Sequence, residues 1–83
     1  MEARREILIA LGNAIRLKRE EARLTQEEAG FRAGLSRSYY SGIERGTRNV
    51  AAINLIRIAV ALDVEVGDLF PANKNLVKLV AKM

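Results

Sequence analysis

Hydrogen-bonding side chains are concentrated in the short segment between residues 37 and 42 of this 83-residue chain. On a helix that begins there, the residues expected to face outward are Arg37, Ser38, Tyr39, Ser41 and Gly42. Arginine can donate two hydrogen bonds to one guanine, serine can bond a base edge or a phosphate, and an exposed tyrosine can contact a thymine methyl group or a sugar. This set of groups therefore favours contact with base pairs in the major groove of DNA.

Each of these residues can also be explained without DNA binding. A merely solvated Arg37 would be electrostatically unfavourable, because the helix dipole disfavours a cation at a helix N-terminus. Ser38 and Ser41 are common on any exposed helical turn, so both interpretations stand for them. Tyr39 can be an idle surface tyrosine, although contact with DNA is favoured. Gly42 costs about 1 kcal/mol relative to alanine inside a helix, and a close approach to DNA or to another helix would justify it.

Further candidate contacts with the DNA backbone flank this segment. Gln26 opens the preceding predicted helix, where its side chain either hydrogen-bonds a phosphate or braces the neighbouring helix. Arg45, Arg48 and Asn49 lie around the loop that leads into the next helix, whose first amides can bind a phosphate together with these side chains. The alternatives are two solvated arginines and a helix-capping asparagine, and capping is compatible with phosphate binding.

Two short helices joined by a tight turn must position these residues. Thr25 can cap a helix that starts at Gln26, and Glu28 can close a capping box with it. Gly34 permits a sharp exit from that helix, and Ser36 stands where the cap of the second helix is needed. The two helices are predicted at about residues 26–33 and 37–45. This arrangement is a helix-turn-helix.

The rest of the chain predicts an all-α single domain, a compact bundle of five or six short helices that spans residues 1–83. The remaining helices are expected at about residues 3–22, 51–62, 66–69 and 73–82. The helix at 51–62 is too apolar for a surface position and is predicted to be the central rod of the core. Tyr40 shares an inward face with Leu35 and Ile43, so we expect it in the core with its hydroxyl reaching the edge.

The helix at 73–82 is predicted to be an extra C-terminal element. Its apolar residues occupy one face, namely Leu76, Val77, Leu79, Val80 and Met83. Apolar residues in the preceding segments also exceed what one small core can hide; these are Ile53, Val64, Val66, Leu69 and Phe70. Because so small a domain is only marginally stable alone, we expect a dimer surface formed by the fourth to sixth helices.

Composition favours an anionic partner. Fourteen Lys and Arg residues oppose ten Asp and Glu residues, and the sequence pI is about 10.0. Within residues 31–62 the only acidic residue is Glu44, against five arginines: Arg32, Arg37, Arg45, Arg48 and Arg57. Positive charge is thus concentrated on the second helix of the pair and on the loop that follows it.

Several function classes are disfavoured by what the sequence lacks. There is no cysteine and no histidine, so we expect no disulfide, no structural metal and no cofactor. Without those residues, a glycine-rich phosphate loop or paired carboxylates, an enzyme is not expected. No apolar run approaches the roughly 18 residues of a membrane helix, and no signal sequence is evident. We therefore expect a cytoplasmic protein that does not bind membranes.

The chain resembles the lambdoid-repressor, or Xre, family of helix-turn-helix transcriptional regulators. The resemblance runs from about Leu11 to Phe70 and is carried by four pieces: LGNAIRLKREEARLTQEE, AGLS, IERGTRN and LIRIAVALDVEVGDLF. The run RSYYSGIERGTRN is similar to the controller proteins of restriction-modification systems, a compact single-domain branch of that family. The chain departs from the family pattern at Lys18, Ala29, Gly30 and Phe31, and Phe31 is left as either buried or exposed.

The resemblance implies a cofactor-free homodimer that binds a pseudo-palindromic operator in double-stranded DNA, where it blocks RNA polymerase or contacts it as an activator. It also implies that Gln26 touches the DNA backbone and that Arg19 forms an ion pair with Glu44, joining the first helix to the end of the recognition helix. One alternative remains open. In an antitoxin or protein-interaction module, the C-terminal helix would bind a partner protein instead.

Overall fold

The computed structural model describes residues 2–83, and these form five α-helices and one 3-10 helix without a β-strand. The elements in chain order are α1 (Ala3–Glu21), α2 (Gln26–Ala33), α3 (Arg37–Arg45), α4 (Ala52–Leu62), the 3-10 helix (Val66–Leu69) and α5 (Asn73–Ala81). The predicted all-α bundle is confirmed. The predicted bounds differ only at Ala22, Ala51 and Lys82, and each of these residues is the cap of its helix.

The turn between α2 and α3 is built by the residues that predicted it. Thr25 and Glu28 form the full capping box: the Glu28 amide donates to Thr25 Oγ1 at 3.0 Å, and the Thr25 amide donates to Glu28 Oε1 at 2.9 Å. Gly34 ends α2 with a φ of 74°, in the left-handed region that favours glycine. Ser36 Oγ then accepts the Tyr39 amide at 3.1 Å and starts α3. Local hydrogen bonds therefore fix where both helices of the motif begin.

The core lies where α3 packs between α1 and α2, while α4 packs on α2 and on the 3-10 helix. Its largest fully buried side chains are Ile15, Tyr40, Ile43, Ile58 and Leu69. The prediction that Tyr40 is a core residue is confirmed, but its hydroxyl is buried and does not reach the edge. Burial raises the pKa of Tyr40 above its ordinary value, because the phenolate would lose its hydration.

A glycine in α1 allows the closest helix contact in this core. A Cβ atom built on Gly12 would lie 2.5 Å from the backbone carbonyl oxygens of both Ile43 and Glu44. Any side chain at residue 12 would therefore push α1 away from the last turn of α3. The close contact brings the C-terminal half of α1 within reach of the end of α3 and of its polar residues.

Helix α4 is not the central rod of the core that its apolar sequence predicts. One face is buried, with Leu55, Ile58, Ala59 and Leu62 in the core. The opposite face carries Ile53, Ile56 and Val60, which are 68%, 51% and 76% exposed. The rod prediction is wrong for this face because one small domain has too few elements to cover a helix on all sides.

Helix α5 packs against α1. Its predicted apolar stripe is divided: Leu76 and Leu79 are half-buried, whereas Val77 and Val80 are exposed. An ion pair between Lys82 Nζ and Glu6 Oε2 at 3.2 Å also joins the two helices.

Phe31, which the sequence left as either buried or exposed, is 84% exposed. Within residues 2–83, no helix is long and apolar enough to cross a lipid bilayer.

Candidate nucleic-acid interface

A buried polar cluster joins the end of α3 to the two preceding helices. Glu44, near the end of α3, accepts hydrogen bonds from Arg19 Nε at 2.7 Å and from Arg19 Nη2 at 3.0 Å. Gln26 Nε2 donates to the same carboxylate at 2.9 Å, and Arg19 Nη1 donates to the Leu24 carbonyl at 2.8 Å. We call Arg19, Gln26 and Glu44 the Glu44 clamp. It connects the end of α1, the start of α2 and the end of α3.

The clamp holds its carboxylate ionised. Burial alone would raise the pKa of Glu44, but the hydrogen bonds from Arg19 and Gln26 outweigh burial and hold the pKa below its ordinary value. The side chains of Arg19 and Glu44 are only 12% and 2% exposed, so solvent screens this ion pair weakly. Glu44 therefore has a complete structural role, and its negative charge is compensated.

Gln26 lies at the first turn of α2, where a phosphate contact was expected. The structure gives its side chain the bracing role that was the alternative, through the bond to Glu44. A side-chain amide nitrogen carries two hydrogens, however, and only one is used here. The second remains available to a phosphate, so the two roles are compatible.

The start of α3 presents the groups expected to meet the bases. Arg37 and Ser38 are exposed at its first turn. Ser41 is half-buried, and its Oγ accepts a hydrogen bond from Arg45 Nη1 at 2.5 Å. The oxygen of Ser41 thus accepts a bond within the helix while its hydrogen stays available to a ligand, and the exposed hydroxyl of Ser38 can also turn toward a ligand.

Tyr39 is less exposed than predicted. Its ring is half-buried against the core, and its hydroxyl accepts a hydrogen bond from Asn54 Nδ2 at 3.2 Å. The guanidinium carbon of Arg48 lies 5.9 Å from the centroid of the ring. Asn54, which lies in α4, carried no sequence signal, since an asparagine inside an apolar helix has no local partner that would reveal its role.

The prediction that Gly42 faces outward is wrong. Gly42 is buried, and the side chains that cover it belong to Thr47 and Arg48 in the following loop. Thr47 Oγ1 donates to the Gly42 carbonyl at 3.1 Å. The close approach expected at this glycine therefore comes from the loop after α3, and not from another helix.

The loop itself leaves two of its predicted contacts exposed. Arg48 and Asn49 are both accessible to solvent, and Arg45 is exposed at the end of α3. Asn49 does not cap α4, because Ala51 is the capping residue and no side chain accepts a hydrogen bond there. With Glu44 compensated, the exposed charges between residues 31 and 62 are all positive, which favours an anion near this part of the chain.

Comparison with known proteins agrees with this geometry. A helix-turn-helix family model matches residues 15–69. The control protein C.MunI of a Mycoplasma species is 39% identical over 66 residues, which span 78% of this chain and 89% of that protein. The control protein C.BamHI of Bacillus amyloliquefaciens is 39% identical over 64 residues, or 76% and 79% of the two chains.

Solved structures are similar as well. The restriction-modification controller protein C.AhdI from Aeromonas hydrophila superposes with a TM-score of 0.75 at 44% identity, covering 76% of this chain and 96% of its own. The wild-type controller protein C.Esp1396I superposes with a TM-score of 0.71 at 32% identity, covering 92% and 96%.

Proposed function

Because the chain belongs to the helix-turn-helix family, we propose that it is a sequence-specific DNA-binding transcriptional regulator of the restriction-modification control type. The observation that carries this proposal is the exposed pair Arg37 and Ser38 at the start of a helix whose other end is anchored by the Glu44 clamp. The similarity to two control proteins supports the type of regulator and favours it over an antitoxin.

In this proposal, α3 is the recognition helix and its first turns enter the major groove. Arg37 reads a guanine, and Ser38, Tyr39 and Ser41 contact neighbouring base edges or sugars. The groups around the helix bind the phosphates on either side and set the register; these are Gln26, Arg45 and Asn49. No chemical step occurs, and the effect on transcription follows from occupancy of the promoter, where the bound protein blocks RNA polymerase or contacts it.

We further propose that the active form is a homodimer on a pseudo-palindromic operator, with two recognition helices about 34 Å apart. The exposed apolar face of α4 supports this, because Ile53, Ile56 and Val60 follow a helical spacing that would otherwise remain in water. Val66 and Phe70, at 38% and 39% exposed, lie in and just after the 3-10 helix that packs on α4. We call these five residues the α4 face and propose that it pairs with its copy.

Arg37→Ala should weaken binding to the cognate operator by about 1 to 3 kcal/mol, because one bidentate base contact is lost. Binding to random DNA should change little. The operator is first selected from randomised duplexes with the wild-type protein, and gel shifts then compare it with a random duplex. Arg37→Lys is the matched variant: it keeps the charge but not the planar fork, so it should also lose operator affinity. Equal losses on the two DNAs would show that Arg37 contacts a phosphate instead.

Val60→Lys should raise the dimer dissociation constant and weaken operator binding at low protein concentration, because two like charges would meet in an apolar interface. The monomer should stay folded, since Val60 is 76% exposed within it. Sedimentation at low micromolar concentration measures the change. Val80→Lys, on the exposed side of α5, is the matched control and also tests the expectation that α5 is a dimerisation helix. A dimer weakened by Val80→Lys and not by Val60→Lys would move the interface from the α4 face to α5.

A further inference from the structure

We propose that Gly42 is a positioning residue for Arg48, and that Arg48 determines operator sequence by taking the place of the side chain that Gly42 lacks on the recognition helix. This inference rests on the proposed function. Arg48 then belongs to the surface that reads the bases, whereas the sequence predicts that it contacts a phosphate. It also gives a reason for a glycine inside α3, where glycine is an unfavourable residue.

The space beside Gly42 is already filled. A Cβ atom built on Gly42 would lie 2.7 Å from Arg48 Cγ, 3.2 Å from Thr47 Oγ1 and 3.5 Å from Arg48 Nε. The aliphatic part of Arg48 therefore crosses α3 at the position from which a side chain of residue 42 would project. With any larger residue there, the arginine side chain would have to shift from this position.

The arginine is also held at both ends of this crossing. On the loop side, the bond from Thr47 Oγ1 to the Gly42 carbonyl fixes the residue that precedes Arg48. At the far end, the guanidinium lies 5.9 Å from the centroid of the Tyr39 ring, and Asn54 holds the Tyr39 hydroxyl. Tyr39 and Gly42 are three residues apart and so occupy one face of α3.

This arrangement has two consequences for DNA binding. First, an arginine already laid along the helix loses less conformational freedom when it binds, so more of its interaction energy appears as affinity. Second, Arg48 is exposed, and a guanidinium held beside α3 can bond guanine O6 and N7. Arg37 and Arg48 then read the operator from separate parts of the chain.

The test is a double-mutant cycle with Gly42→Ala and Arg48→Ala, using the duplex selected by the wild-type protein and a random duplex. We expect Gly42→Ala to lower affinity for the selected duplex by about fivefold or more, the range of one lost base contact. Random-duplex affinity should change far less. In the Arg48→Ala background, Gly42→Ala should have no further effect, because the side chain it displaces is already gone. Gly67→Ala is the matched control, since a Cβ atom there would meet nothing within 4 Å.

A second measurement needs no DNA. In the free wild-type protein, the Tyr39 ring should shift the NMR signal of the Arg48 side-chain N–H group, and Gly42→Ala should abolish that shift while the thermal unfolding midpoint stays near the wild-type value. Additive losses in the cycle, or an unchanged Arg48 signal, would overturn the inference. A different result would contradict the proposed function itself: the wild-type protein would select no sequence from the randomised duplexes.

Discussion

Glu44→Ala should lower the free energy of unfolding by about 3 kcal/mol or more, the cost of breaking a buried ion pair by removing one partner. The loss is large because Arg19 would keep its charge at 12% exposure, and the Gln26 amide would lose its acceptor as well. Urea denaturation measures the change. Operator affinity should fall only through the smaller folded fraction, so it should recover under conditions where the variant is fully folded.

Glu21→Ala is the matched control for this prediction. Glu21 pairs with Lys18 at 3.3 Å on the surface of α1, where the two side chains are 67% and 33% exposed, and such pairs contribute at most about 1 kcal/mol. A loss no larger for Glu44→Ala than for Glu21→Ala would contradict the bracing role of the Glu44 clamp.

The same ion pair predicts a pH dependence. Since the folded-state pKa of Glu44 lies below its ordinary value, its contribution is fully present above the pKa of an unfolded glutamate and is lost as the pH falls through the lower folded value. The stability difference between the wild type and Glu44→Ala should therefore be constant near neutral pH. It should narrow progressively in acid, below the ordinary carboxyl range.

Gly12→Ala should destabilise the protein by about 3 kcal/mol or more, at the upper end of what overpacking costs. The new methyl group would lie 2.5 Å from two backbone carbonyl oxygens of α3, and a backbone cannot rotate away as a side chain can. The intrinsic helix preference of alanine, worth about 1 kcal/mol over glycine, opposes this loss without cancelling it.

Thermal unfolding of Gly12→Ala is best compared with Asn13→Ala, the next position along α1, which is exposed. That control should melt near the wild-type temperature, while Gly12→Ala melts well below it. If both variants melted together, α1 and α3 would have room to separate, and the close crossing would not limit stability.

Features that depend on neighbours in sequence were predictable. Thr25, Glu28, Gly34 and Ser36 act within one helical turn of themselves, so their types and spacing determine where α2 and α3 begin and end. The Glu44 partner Arg19 was expected too, although from family resemblance and not from spacing, because 25 residues separate the two along the chain.

Features that depend on tertiary contacts were predicted poorly. Helical spacing placed Tyr39 and Gly42 on the outer face of α3, but it contains no information on a loop that folds back over that face. The exposure of Ile56 and Val60 was missed for a related reason: periodicity shows that a helix has two apolar faces, but not how many neighbours the fold supplies to cover them.

The Glu44 clamp separates two tasks along a single nine-residue helix. The end that carries Glu44 is anchored to α1 and α2, whereas the end that carries Arg37 and Ser38 has no part in that anchoring. Mutations at Arg37 and Ser38 can therefore accumulate with little cost to folding. In evolutionary terms, this frame leaves the proposed base-reading residues free to change one at a time, and so to adapt to different DNA sequences.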